Sequence, residues 1–152
     1  MNGAAEQVRR TGKIASHFQP SIGPYDSADE DVIRLQMVLI KRSGFDGLLV
    51  DWYGPKRVLD YGEIDDRVVK IMKGAEREGL QFAVVYEDQS AKHARENGAQ
   101  ESLGQLAHDA SRTIADRWLS NKLWIKLGGR PIVLVFGPQA FGEAEFVQFR
   151  QG

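Results

Sequence analysis

Three short apolar runs, each followed by polar or aromatic residues, organise the chain. They occupy residues 47–52, 81–86 and 131–136. Apolar runs of this length, bounded by turn residues, are typical of buried β-strands. The first breaks off into Tyr53-Gly54-Pro55, and the last follows a Gly-Gly turn. The pattern therefore predicts three strands whose carboxyl ends open into polar loops.

Helical patterns separate the predicted strands. The first follows residues 27–30, whose Ser-Ala-Asp-Glu sequence fits a capping box. Its apolar positions recur at helical spacing at Val32, Leu35, Val38 and Leu39, and Met37 and Ile40 widen this stripe. A second helix is predicted to begin near Asp65 and a third to span residues 102–119, whereas residues 89–101 are predicted to be a long loop. Because a helix between two strands is a crossover connection, we expect the strands to pair in parallel.

Two architectures fit this alternation: an open doubly wound sheet, or part of a (β/α)8 barrel. No Gly-x-Gly-x-x-Gly or Walker-type loop follows a strand, which weakens the nucleotide-binding version. A complete barrel needs about 250 residues, and this chain has 152. The expectation is an α/β fold that forms a partial (β/α)8 TIM-type barrel. Residues 1–12 are predicted to be a disordered or ragged tail and residues 13–152 a single domain.

Composition narrows the classes of partner. The chain has 20 basic and 21 acidic residues and a net charge of −1, without the clustered Lys and Arg that nucleic acids or anionic membranes attract. No apolar run approaches the roughly 18 residues of a membrane span, and residues 1–12 contain no signal-peptide core. The cellular location stays open. With no cysteine and three scattered histidines, the sequence predicts neither a metal site nor a cofactor.

The candidate chemistry lies at the ends of the strands, where parallel α/β folds collect their ligands. Asp51 and Glu87 are candidate functional carboxylates, because burial at a strand end raises a carboxyl pKa. The alternative is that each caps the next helix or pairs with an arginine. Asp88 follows Glu87, and the aromatic pair Trp52 and Tyr53 follows Asp51.

These residues belong to an ordered set of segments that resembles a known family. Residues 17–20, 22–27, 47–54 and 86–88 are similar to glycoside hydrolase family 71/99-like proteins, relatives of endo-α-mannosidase. The similarity runs from about Gly12 to Pro138. The resemblance implies a (β/α)8 barrel that binds or hydrolyses an α-linked glycan. It also implies that this chain lacks the first strand and the late catalytic glutamates, so no catalytic residue is assigned and the isolated chain is expected to be inactive.

The resemblance places Trp52 and Glu87 among the residues that line the sugar site, with Asp51 and Tyr53 beside them. The flat side chains of Trp52 and Tyr53 could stack on a sugar ring. The alternative is that one of them packs under the barrel rim. His17 either donates to a sugar hydroxyl or has a structural role. The predicted substrate-binding residues are Trp52, Glu87, Asp51, Tyr53, Asp88 and His17.

Two further functions stay open. A complete small α/β module would bind carbohydrate without cleaving it. A half-barrel scaffold would instead self-associate, or pair with its missing half, through exposed sheet edges. A small-metabolite enzyme of another family would require a phosphate-cradling loop, which the sequence does not contain.

Overall fold

A parallel three-stranded sheet with helices packed on it forms the centre of the computed structural model, which describes Phe18 and residues 20–152. The predicted tail, residues 1–12, and His17 lie outside the described residues. In chain order the elements are α1 (Glu30–Arg42), β1 (Gly47–Trp52), α2 (Tyr61–Glu78), β2 (Gln81–Glu87), α3 (Gln89–Glu96), α4 (Leu103–Ile114), β3 (Lys126–Leu127), β4 (Arg130–Pro131), β5 (Leu134–Phe136) and α5 (Glu143–Phe149).

The sheet order is β1-β2-β5, and both pairings are parallel, which confirms the predicted strand direction. β1 and β2 pair in a single register from Gly47 beside Gln81 to Trp52 beside Tyr86. A Cβ atom on Gly47 would lie 2.3 Å from the carbonyl oxygen of Gln81. The close approach at the start of β1 therefore requires glycine.

The third predicted strand is shorter than expected. Only β5, residues 134–136, joins the sheet, whereas Arg130 and Pro131 form an antiparallel hairpin with β3. Gly128 and Gly129 turn this hairpin with φ angles of +58° and +79°, as a tight two-residue turn requires. Pro131 has no N–H group to donate to a ladder, which favours its place in this short pair.

The helices also differ from the predictions at their ends. α1 begins at Glu30, and its N-cap is Asp29 rather than Ser27, because the Asp29 carboxylate accepts from the backbone N–H groups of Asp31 and Val32 at 2.9 and 3.2 Å. α2 begins at Tyr61, earlier than predicted. A π-helical turn, Ala115–Leu119, follows α4 in place of a continuous α-helix.

Two helices, α1 and α3, differ from the predictions for different reasons. In α1 the buried residues are Ile33 and Met37, while Leu35 and Leu39 are 40% and 53% exposed. Of the predicted positions, Met37 is buried and Ile40 packs partly buried against the core, so the prediction is right for these two and wrong for Leu35 and Leu39. α3 lies inside the predicted loop at residues 89–101, and its apolar contribution to the core comes only from small alanine side chains.

The two faces of the sheet have different environments. Because side chains alternate along a strand, Val50 and Trp52 share a face with Tyr86, and all three are buried. The opposite face is open on the two outer strands, where Leu49 is 51% exposed and Phe136 is 57% exposed, whereas Ala83 of the central strand is buried. The carboxyl ends of β1 and β2 border this open face.

Candidate functional site

Three predicted residues come together where β1 and β2 end. Trp52 and Tyr86 are the last pair in the register, so Tyr53 and Glu87 follow on neighbouring strands. The phenol of Tyr53 lies near the Glu87 side chain and experiences the charges of Glu87 and Asp51. We call Asp51, Tyr53, Glu87, Tyr61 and His93 the strand-end site.

The Tyr53 phenol is held in its neutral form. Partial burial raises the pKa of Tyr53 above its ordinary value of 10.0, and the charges of Glu87 and Asp51 raise it further. A neutral phenol beside a carboxylate is a hydrogen-bond donor, because the carboxylate can only accept. Tyr53 therefore presents an aromatic ring and a neutral hydroxyl group near an acidic side chain.

Asp51 occupies the more exposed side of the site. Partial burial raises the pKa of its carboxyl group above the ordinary 3.8, against a backbone hydrogen bond at Trp52 that lowers it. By the alternation of β1, its side chain lies on the face opposite to Trp52. This position directs Asp51 towards the open face of the sheet.

The structure adds two residues that the sequence analysis did not select. The Tyr61 ring packs edge-on against Tyr53, with ring centroids 5.1 Å apart and an interplanar angle of 72°. Its hydroxyl lies 3.3 Å from Nδ1 of His93, which is half-buried and belongs to α3 rather than to the predicted loop. Burial, the charge of Asp60 and that of Glu87 raise the pKa of Tyr61. No local pattern around Tyr61 or His93 indicates this contact, because it joins two helices.

Trp52 is buried in the core and is not part of the open surface. Its exposed fraction is 0%, and its ring packs against Tyr86 and, edge-on, against Trp118. Its Nε1 donates to Oδ1 of Asp65 at 2.8 Å, and the same oxygen accepts from Arg117 at 2.8 Å. No face of the indole is open to a sugar ring. The predicted stacking by Trp52 does not match the structure, because its position in the pleat points it towards the helices.

Asp88 also has a structural role. It is 0% exposed, and its carboxylate accepts hydrogen bonds from three consecutive backbone N–H groups at 2.7–3.0 Å. The donors are Gln139, Ala140 and Phe141, in the loop between β5 and α5. Asp88 thus attaches this loop to the end of β2, and the predicted contact of Asp88 with substrate does not match its position.

The loop that carries Tyr53 is attached at several points. Lys56 forms ion pairs with Glu101 and, at 3.3 Å, with Asp109. Arg57 makes two hydrogen bonds to Asp66 at 2.9 and 3.1 Å. These contacts are partly or largely exposed, so each contributes little to stability. Together they restrict where the loop can lie.

Among Phe18 and residues 20–152, no group of three His, Cys, Asp or Glu side chains is arranged to hold a metal ion. Over the same residues, no helix is long and apolar enough to cross a membrane. The side chains of the strand-end site are two carboxylates, two phenols and one imidazole.

Comparison with known proteins relates part of this chain to endo-α-mannosidases. No family model matches. Over 71 residues the chain is 38% identical to a mouse glycoprotein endo-alpha-1,2-mannosidase-like protein, a match that covers 46% of this chain and 16% of the mouse protein. The predicted resemblance is thereby confirmed as partial homology to glycoside hydrolase family 99 (GH99).

The likeness of the fold extends over more of the chain. The GH99 endo-α-mannosidase from Bacteroides thetaiotaomicron matches with a TM-score of 0.61 at 22% identity, over 82% of this chain and 32% of that chain. A solved glycoside hydrolase-like protein matches with a TM-score of 0.66 at 16% identity, over 88% of this chain and 42% of that chain. This chain therefore has the fold of about a third of the GH99 structure.

Replacing Asp88 tests its structural role. Asp88→Ala would leave three backbone N–H groups without their acceptor, so we expect it to lower the free energy of unfolding by about 3–5 kcal/mol. The matched control is Asp51→Ala, which removes a more exposed carboxylate. We expect it to change the free energy of unfolding by about 0.5 kcal/mol or less. Urea unfolding measures both. Equal effects of the two substitutions would show that Asp88 does not hold the loop.

Replacing Glu87 tests its contact with Tyr53. Glu87→Gln removes the negative charge, so the pKa of Tyr53 should fall towards 10.0. NMR titration of the ¹³C-tyrosine-labelled protein measures this pKa, and the Tyr53→Phe variant identifies the Tyr53 signal. Because the folded pKa is the higher one, the stability that Tyr53 contributes is complete below about pH 10 and is lost as pH rises through the folded pKa. Glu143→Gln, an exposed charge on α5, is the control, and an equal shift in both variants would refute the contact.

Proposed function

We propose that this chain is a carbohydrate-binding part of a (β/α)8 glycoside hydrolase-like barrel, and that its strand-end site binds an α-mannoside. The observation that carries the proposal is that Tyr53 and Glu87 lie beside each other at the carboxyl ends of adjacent parallel strands. In barrels of this class the ligand site lies at that end of the strands. The partial homology to endo-α-mannosidases supports the choice of sugar.

The residues of the site suit a sugar. Sugar hydroxyl groups both donate and accept hydrogen bonds, and the carboxylates of Glu87 and Asp51 accept them. Since Trp52 is buried, Tyr53 takes the role of the aromatic surface. Its edge-on contact with Tyr61 holds the ring in one orientation. The site thus combines acceptors with an aromatic ring, as small-molecule sites do.

We assign binding rather than bond cleavage to these carboxylates. Glycoside hydrolysis requires an acid and a second carboxylate, separated by about 5–5.5 Å or about 6.5–9.5 Å. Glu87 lies beside the Tyr53 phenol, and the family resemblance places the catalytic glutamates in later strands. In this proposal the intact protein hydrolyses an α-linked glycan, while the present chain contributes part of the substrate site.

Titration with α-1,2-mannobiose tests the proposal. We expect saturable shifts in the ¹H–¹⁵N spectrum of the purified chain, centred on Tyr53 and Glu87, without release of mannose. Tyr53→Ala should weaken binding at least about tenfold, because a contact worth about 1.4 kcal/mol is lost. The matched control is Tyr25→Ala, which removes a tyrosine whose hydroxyl group accepts a hydrogen bond from Gln36 on α1.

Two results would contradict this assignment. One is the absence of saturable shifts with α-1,2-mannobiose in a folded chain. The other is equal affinity in the parent and in Tyr53→Ala. Cellobiose, a β-linked disaccharide, serves as the ligand control, and equal binding of both sugars would remove the preference for α-mannosides.

Self-association is the second candidate function, and the open sheet face favours it. Leu49 and Phe136 are apolar and more than half exposed on that face. If the chain pairs through it, sedimentation velocity should show a dimer that Leu49→Asp converts to monomer. Leu127→Asp is the control, because Leu127 is 76% exposed but lies in the hairpin outside the sheet. A monomer at all concentrations would exclude this candidate.

A further inference from the structure

We infer that Ser90 is the positioning residue of the strand-end site: its hydroxyl group joins the ends of β1 and β2 and holds Tyr53 beside Glu87. Its effect on sugar binding rests on the function proposed above. Its effect on the geometry of Tyr53 does not, so the two can be tested separately.

The contacts of Ser90 are short and buried. Ser90 is 3% exposed and lies in the first turn of α3. Its Oγ lies 2.7 Å from the carbonyl oxygen of Tyr53 and 2.6 Å from that of Glu87. A hydroxyl group has one proton to donate, so the two carbonyl groups share it. One side chain therefore links the backbone of both residues that form the pair.

The link lies just beyond the last paired residues of the two strands. The β1–β2 register ends with Trp52 beside Tyr86, so Tyr53 has no paired residue in β2. The chain then turns away at Gly54, which has a φ angle of +93°. The direction of the Tyr53 side chain follows from its backbone, and the Ser90 hydroxyl fixes that backbone at the turn.

The surroundings of Ser90 strengthen this link. Tyr86, the last residue of β2 that pairs with β1, is 2% exposed. A Cβ atom on Gly54 would lie 3.5 Å from the Tyr86 ring, so the turn after Tyr53 rests on that ring. Asp88, at the start of α3, makes no capping bond to the helix because its carboxylate serves the loop after β5. Ser90 thus makes a polar contact from α3 to Tyr53, the residue that follows β1.

Ser111 supplies a matched comparison. It is also a mostly buried serine on a helix, and its hydroxyl donates to the carbonyl of His108, three residues earlier, at 3.0 Å. Ser90 makes the same kind of bond to Glu87 and adds the contact to Tyr53. Replacing either serine removes a local helix bond, but only the Ser90 substitution breaks the link between the strands.

The test compares Ser90→Ala with Ser111→Ala by two measurements. The first is the pKa of Tyr53 by NMR titration of ¹³C-labelled tyrosine, and the second is the affinity for α-1,2-mannobiose. With Ser90→Ala we expect the pKa of Tyr53 to fall towards its ordinary value, because the phenol moves away from Glu87, and binding to weaken about tenfold. Ser111→Ala should leave both as in the parent.

The outcomes are distinguishable. An unchanged pKa of Tyr53 in Ser90→Ala, or an equal change in Ser111→Ala, overturns the positioning role. If the parent chain does not bind α-1,2-mannobiose, the proposed function fails, and the Tyr53 titration still decides the role of Ser90. If Ser90→Ala does not fold, Ser90→Cys replaces it in the same titration, since the thiol has a similar volume and is a weak donor.

Discussion

The parallel pairing of β1 with β2 is the constraint on which the rest of the structure depends. The glycine at position 47 lets the strands approach, and six residue pairs then run in one register to Trp52 and Tyr86. Because the side-chain period is two, a slip of one residue would turn Trp52 towards the open face and Asp51 into the core. The register therefore buries the indole and sets Tyr53 next to Glu87.

The carboxylates show how partners decide the roles of chemically similar groups. Asp65 is 5% exposed and accepts from Trp52 and Arg117, while Asp88 is 0% exposed and accepts from three backbone N–H groups. Buried carboxylates persist only when such donors satisfy them. Asp65 and Asp88 are thus committed to the fold, and Glu87, paired with a side chain at the open face, is the one suited to a ligand.

The sequence predicted the parallel α/β sheet and the strand ends that border the site, because apolar runs separated by helices and stopped by polar residues are strong signals. It did not predict which face each residue joins. In β1 apolar residues occupy both faces, so the pattern could not show that Trp52 is buried. Nor could it show that Asp88 accepts from residues about fifty positions later, or that Tyr61 reaches His93. These contacts depend on how separate elements pack.

The central claim is that Tyr53 and Glu87 act as one unit in binding an α-mannoside. A double-mutant cycle with Tyr53→Phe, Glu87→Gln and the combined variant, measured as affinity for α-1,2-mannobiose, tests it most directly. If the pair is the binding unit, the double variant should lose little more affinity than the more affected single variant. Losses that add in full, or no loss in either single variant, would contradict the account.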